Sequence, residues 1–327
     1  MKPILIFASF LILSTCLWAG CSKDDSYQDS TRDSNNKPNL PVFEAAYDRH
    51  NIESYSKFSL FDSNLITHKR DEISGIASSR LHPGLLYMHE DSGNPPALFV
   101  YNQQGVYKGL FRLSGINNRD WEDIAIGPGP VEGVSYIYVG DIGDNNSTRG
   151  SLRIYRFPEP SLPDTTSAEP FVVFIDDFDI IEFEYPDGPR DAEALMINPQ
   201  TKELIVITKK EPRVHVYSIP FPQSISQVNK ASFRGYLPLR RILAGDIAPD
   251  GSEMVIKNDG WVYHWYVQDQ DPVKTMFHSE PKTVAYIQEV QGESLGWDHQ
   301  GKGYFTITET KKHGTADPIL YYYTVHN

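Results

Sequence analysis

Glu122, Glu193 and Glu293 stand near the heads of three similar phrases, RDWEDIA, RDAEALM and QGESLGW, and Ser74 and Gly245 take the matching place in DEISGIA and LAGDIAP. A carboxylate that returns once per repeat is chemistry for a hard cation. Calcium takes about six to eight oxygens from carboxylates, main-chain carbonyls and water. If the five heads converge, three buried glutamates repel one another unless protons or a cation neutralise them. On that reading the metal ligands are Ser74, Glu122, Glu193, Gly245 and Glu293, with Ser74 and Gly245 acting through their carbonyls. The alternative is a water-filled channel in which the acids bind only solvent. Zinc is disfavoured, because no His or Cys cluster has the spacing it needs.

The spacing of the phrases says what positions them. Intervals of 48, 71, 52 and 48 residues separate the five equivalent positions, and each suits one four-stranded blade of a β-propeller. Short runs rich in Val, Ile, Tyr and Phe alternate with Gly, Pro, Asn and Asp clusters, as many short antiparallel strands require. An all-β propeller of five blades follows, with six as the alternative if the long interval hides another sheet. In blade two a final strand is expected within VVFIDDFDIIEFEY, after a surface insertion, PEPSLPDTTSAEP. In blade four the last strand is expected near VKTMFH. Blade five runs out of chain after LYYYTV, so the N-terminal pattern YSKFSLF (Tyr55 to Phe61) is expected to pair beside it and close the ring. Closure removes sheet edges that invite aggregation.

A second ring follows from the return of each second strand towards the head of the repeat. The ends of those strands carry Asp91, Asp141, Lys209, Lys257 and Glu309, with Glu72, His89, Asn94, Asp144, Asn145 and Arg149 nearby. Convergent titratable groups in a concave place define the default site. The catalytic candidates are Glu72, Asp91, Asp141, Lys209, Lys257 and Glu309; the substrate-binding candidates are Arg149, Asn94 and Asn145. Mixed charge suits an anionic small molecule such as a phosphate ester, attacked by water with Glu72, Asp91 or Asp141 as base and calcium polarising the phosphoryl oxygen. The other class left open is a non-catalytic propeller that binds a glycan or a protein, with calcium only holding the blades.

The order Ser, Glu, Glu, small residue, Glu at successive blade heads resembles that of the calcium-activated nucleotidases, or apyrases. EISGIA followed by LLYMHEDSGN is similar to their first blade, although Ser92 stands where those proteins carry an Arg. The phrases RDWEDIA, GDIGDNN and RDAEALM resemble the secreted propellers described as phytase-like with esterase-like activity. The resemblance implies a five-bladed propeller with axial calcium and an ester hydrolase activity.

Gly292-Glu293-Ser294-Leu295-Gly296 matches G-x-S-x-G, but that motif works on a strand-to-helix turn, and a repeat strand is expected here. The histidines are scattered singly. Trp261, Tyr263 and Trp265 alternate along one strand, a stripe that suits interblade packing more often than sugar stacking.

Residues 1–20 read as a lipoprotein signal peptide: Lys2, an apolar run from Ile4 to Leu13, then Ala19 and Gly20 before Cys21. An ordinary signal peptide is the rival reading. The run is short for a membrane span. Residues 21–42 read as a lipidated Cys21 and a flexible polar tether, and 43–327 as a single propeller domain. SKDDS after the cysteine resembles the tether signal of surface-exposed lipoproteins, which implies the cell outer membrane. A formal net charge of −13 disfavours nucleic acid as a partner. The expected protein is a monomer in the cell envelope, held to the membrane through its lipid anchor only. Cys21→Ser should then leave unlipidated precursor or soluble protein on fractionation; a lipid-modified membrane protein in the variant would exclude the lipoprotein reading.

Overall fold

A computed structural model describes residues 40–163, 169–289, 291–309 and 317–325, all within one compact unit, Asn39–Asn327. The signal segment, Cys21 and nearly all of the tether lie outside the described residues. No helix among the described residues is long and apolar enough to cross a membrane.

The described strands form five sheets. Their innermost strands are Ile73–Ser78, Trp121–Pro128, Ala192–Ile197, Ile242–Ile247 and Ser294–Trp297. Most read as unbroken buried runs, as strands covered on both faces must. The apolar core is divided into five clusters, each lying between two neighbouring blades. Blade five packs on blade one through Phe305, Ile307 and Leu320 against Ile76, Met88 and Phe99. Five interfaces for five sheets make a closed ring: this is a five-bladed β-propeller. The expected closure holds, since Phe58–Leu65 pairs antiparallel with Ile319–Val325.

The long interval hides a strand but no sixth blade. Asp179–Glu184 is the fourth strand of blade two, as expected. Phe171–Ile175, most of which falls in the same stretch VVFIDDFDIIEFEY expected to hold a blade-two strand, instead crosses to blade one and pairs parallel with Tyr107–Leu113. Asn229–Lys230 adds to blade two in the same way, and Phe43–Glu44 to blade three. Gly109 and Gly235 make two of these additions possible. Both have positive φ, 150° and 143°, and a Cβ there would lie 2.4 and 2.3 Å from the carbonyls of Phe171 and Phe43. A substitution would strain the backbone and push away the added strand.

Blade four departs from expectation. VKTMFH is helical, Pro272–His278, capped by Asp271 whose carboxylate accepts from the Lys274 N–H at 2.8 Å, with Pro272 opening the first turn. An Asp cap followed by Pro is a helix start. The fourth strand is Lys282–Val284, bridged in parallel by Ser54. The N-terminal segment therefore touches blade three at Phe43, blade four at Ser54 and blade five from Phe58 onward.

Around the axis, the innermost strands have one edge without a neighbouring strand. Asp123 supplies acceptors there: its carboxylate takes the N–H groups of Ile124 and Leu195 at 2.9 Å and of Gly245 at 3.3 Å, joining blades two, three and four. Asp246 takes Ile247 N–H at 2.8 Å and Trp297 N–H at 2.7 Å, joining blades four and five.

Deleting the chain through Pro41 leaves every added strand in place, whereas deleting through Phe61 removes Phe43–Glu44, the Ser54 bridge and half of the closing strand. The longer deletion should lower the melting temperature by about 10 °C or more and the shorter by far less. Equal melting curves would contradict this account of closure.

Candidate metal centre at the axial mouth

A bulge places the acids. In blades one to three the register slips by one residue at Ser74, Glu122 and Glu193, so each leaves the ladder at the head of its innermost strand. The same slip in blade four falls at Leu243. Gly245, expected as the equivalent, lies two residues further along, in register with Ile256 and packed against Met196. The phrase Asp-Ile-Ala recurs in blades two and four but is shifted by two residues. Glu293 immediately precedes the innermost strand of blade five.

Glu122, Asp191 and Glu193, all buried, bring carboxylate oxygens within 4.8 Å of one another, and so do Asp91, Asp120 and Glu122. The two groups share Glu122. Glu293 joins them through Lys209, whose ammonium bonds Glu193 and reaches Glu293 at 3.4 Å. Burial, and then Glu193 and Asp91, hold the Glu122 carboxyl well above the usual carboxylate range. Burial does the same for Glu193 against the pull of Lys209. Asp120 is pushed up to about 6 by burial and by Asp91 and Asp191. Asp91 is raised by burial and by Glu293. Burial works against the charge on Lys209, yet Glu193 and Glu293 hold its ammonium above the ordinary lysine value.

Asp120 and Asp191 were not among the expected site residues. Their signal was in the sequence: each lies two positions before a bulged glutamate, in Arg-Asp-Trp-Glu and Arg-Asp-Ala-Glu. Glu72 holds the same place before Ser74, and its carboxylate accepts from Asn94 Nδ2 at 3.0 Å. Backbone pairing sets the second ring as well. Asp91, Gly143 and Lys209 donate their N–H groups to the carbonyls of Glu72, Asp120 and Asp191 at 2.8, 3.2 and 3.1 Å. In blade two the place is thus held by a glycine, and a Cβ on Gly143 would lie 2.1 Å from Glu122 Oε1 and 2.5 Å from Asp120 Oδ2.

The remaining expected residues are occupied. Asp141 precedes Gly143 by two and makes a buried 2.8 Å ion pair with Arg149, whose guanidinium also donates to Gly143 O at 2.6 Å. Asp144 accepts from the Arg149 N–H and donates its own N–H to Asp191 Oδ1, both at 2.7 Å. Asn145 accepts from Lys210, which pairs with Asp191 at 3.0 Å. Lys257 lies opposite Ala244, short of its strand end. It is fully buried, donates to Gly292 O and faces Glu289 Oε2 at 3.4 Å. It therefore ties Gly292, the residue before Glu293, to Glu289. Glu289 was missed because nothing in its spacing marks it. Glu309 is buried beyond the second strand of blade five. Ser74 turns its hydroxyl into the wall, donating to Trp121 O at 2.8 Å and lying 3.2 Å from His89 Nδ1; burial lowers His89 to about 4. Ser294 lies on a strand, with its hydroxyl donating to Ile73 O at 3.2 Å, and no helix follows it among the described residues.

Fold and site together define the class: a five-bladed propeller whose axis opens on a carboxylate cluster. No family model matches the chain, and no curated protein matches it either. Among solved structures it is similar to the WD40 domain of Neurospora crassa Pan2, at 11% identity and a TM-score of 0.43 over 84% of this chain and 98% of that one. The blade count rests on the sheets and interblade cores described above.

A carboxyl whose pKa is raised on folding stabilises the folded chain below its unfolded value and loses that contribution as pH rises through the folded value. For Asp120 the window runs from 3.8 to about 6, and Glu122 and Glu193 extend it upward. In chelator, the protein should melt at a lower temperature at pH 8 than at pH 5.5, and Glu193→Gln should flatten that slope. A melting temperature that rises with pH in chelator would contradict the electrostatics described.

Proposed function

We propose that this chain is a cell-envelope lipoprotein β-propeller that holds calcium at the axial mouth and hydrolyses phosphate esters or related esters there. One observation carries the calcium reading: Glu193 Oε2, almost wholly buried in a residue that clusters with Glu122 and Asp191, has no hydrogen-bond partner among the described residues. The donor set suits the ion, being oxygen-only, flexible and anionic. Gly143 adds to the fit, because the space its missing side chain leaves is bounded by Glu122 Oε1 and Asp120 Oδ2. Asp91, Asp120, Glu122, Asp191, Glu193 and Glu293 are the residues to hold the ion. The resemblance of the blade-head phrases to calcium-activated nucleotidases and phytase-like propellers supports the same choice.

When bound, calcium would supply a positive centre that offsets carboxylate repulsion and attracts an anionic ester. The chain's own groups do the rest. Glu72, which precedes Ser74 by two residues and accepts from Asn94 Nδ2 at 3.0 Å, is the carboxylate outside the ligand set that would take a proton from water. Lys209 keeps its ammonium charged between Glu193 and Glu293. A second reading has its own support. Lys209, Arg149 and Lys257 are all committed to carboxylates or carbonyls, which suits a binding propeller with structural calcium and a glycan or protein partner.

Elemental analysis of the purified protein should find calcium. Chelation should lower the melting temperature and added calcium restore it. Gly143→Ala, which drives a methyl group into two carboxylate oxygens, should abolish that response while the fold survives. No metal, together with an unchanged melting curve, would refute the site. A phosphoester screen then separates the two readings. Activity lost in Glu72→Gln and Lys209→Ala supports the hydrolase, whereas calcium stabilisation without any hydrolysis supports the binding propeller.

A further inference from the structure

The Trp261, Tyr263, Trp265 stripe divides on folding. Tyr263 and Trp265 are buried between blades three and four, whereas Trp261 is 54% exposed, the one exposed tryptophan among the described residues. It stands at the rim of blade four, where the N-terminal segment is laid along the sheet. A cavity of about 390 Å³ opens there, lined by Ser54, Tyr55, Phe58, Trp261 and Thr283. A second, of about 280 Å³, lies on the far side of Tyr55 and is lined by His264, Tyr266 and Lys282. Tyr55 belongs to both. Tyr55 and Tyr266 are 41% and 52% exposed, so three aromatic residues present uncovered surface to two adjoining hollows.

The polar groups beside these rings are mostly hydroxyls. Ser54 Oγ and Thr283 Oγ1 lie 3.0 Å apart, and Tyr55 OH and Tyr266 OH 3.5 Å apart. The tyrosine pair uses one hydroxyl proton between its members and leaves one proton for a ligand, whereas Thr283 Oγ1 also donates to Glu53 O at 3.4 Å, so the Ser54–Thr283 pair offers lone pairs. The nearby cations are already neutralised: Lys57 by Glu253 at 2.5 Å and Lys282 by Glu53 at 2.9 Å. Among the described residues lining these hollows, an anionic ligand therefore finds no free lysine or arginine. An extended peptide finds no free strand edge at this point either, because Tyr55 N–H donates to Thr283 O at 2.8 Å and Thr283 N–H to Glu53 O at 2.9 Å. What remains suits a pyranose: its C–H face lies on an aromatic ring and its equatorial hydroxyls meet protein hydroxyls. A cavity within the roughly 300–1,000 Å³ range of small-molecule sites holds one sugar unit, and the second hollow lies where a neighbouring unit would go.

We propose that the rim of blade four and the N-terminal segment, centred on Trp261 and Tyr55, is a binding site for an uncharged oligosaccharide. The site is separate from the axial carboxylates and stands whether or not the chain is a calcium-dependent hydrolase. It is tested on the purified full chain by isothermal titration calorimetry with hexaoses of α-1,4-glucose, β-1,4-glucose, β-1,4-mannose and β-1,4-xylose, each in calcium and in chelator. At least one hexaose should bind saturably. Trp261→Ala and Tyr55→Ala should each weaken it by about tenfold or more, the scale of one lost aromatic contact, while Gly143→Ala leaves it unchanged. Unchanged melting of Trp261→Ala, whose ring lies outside the core, separates lost binding from lost fold. Absence of binding by all four hexaoses, equal binding by Trp261→Ala, or binding only of a sulfated polysaccharide or of an extended peptide would overturn the proposal.

Discussion

Sheets that meet around an axis present backbone groups there that no further strand can pair. Buried N–H groups left without acceptors destabilise a fold severely, so the ring depends on what is placed along its inner wall. Asp123 and Asp246 answer with carboxylates that take N–H groups from neighbouring blades. Ser74 and Ser294 contribute hydroxyls that donate to carbonyls across a blade boundary. These groups are buried, and burial raises Asp123 well above the ordinary range and Asp246 to about 6. Axial polarity is thus a requirement of closure before it is an opportunity for chemistry.

At the mouth the same requirement is exceeded. Glu122 and Glu193 leave the ladder at a bulge, Asp120 and Asp191 precede them by two residues, and Asp91 and Glu293 approach from blades one and five. Lys209 reaches two of these acids and Lys210 a third. Arg149, beside Asp120, is tied to Asp141. The balance is anionic in a partly desolvated place, and the raised carboxyls show how the chain tolerates it when only protons are at hand.

Much of this was legible because a propeller writes one geometric position once per repeat. Ser74, Glu122 and Glu193 fall at one bulge, and the closing strand could be inferred from a shortage of chain in the last blade. Gly245 shows where such reading slips. Strand side chains alternate with a period of two, so sliding Gly-Asp-Ile-Ala two residues against Glu-Asp-Ile-Ala preserves the facing of every residue, and only the bulge at Leu243 reveals the offset. Asp141 misled in the same way, falling two positions short of Gly143, whose N–H pairs with Asp120 O. The helix at Pro272–His278 carried an Asp-Pro start that was passed over because a blade needs a fourth strand. The crossing of Phe171–Ile175 to blade one was not legible, since parallel addition at a distant edge leaves no periodic mark in the sequence.

The pairing of Phe58–Leu65 with Ile319–Val325 sets an order of events on the ribosome and after it. Blades one to four build their four antiparallel strands in chain order, but blade five has no edge to offer the N-terminal strand until Ile319–Val325 is made. Contacts so distant along the chain slow folding, and the waiting strand is open to wrong partners meanwhile. Its own register slip between Leu60 and Asp62 interrupts the flat edge that such partners would need. The kink that shapes the finished blade thus also guards the unfinished one.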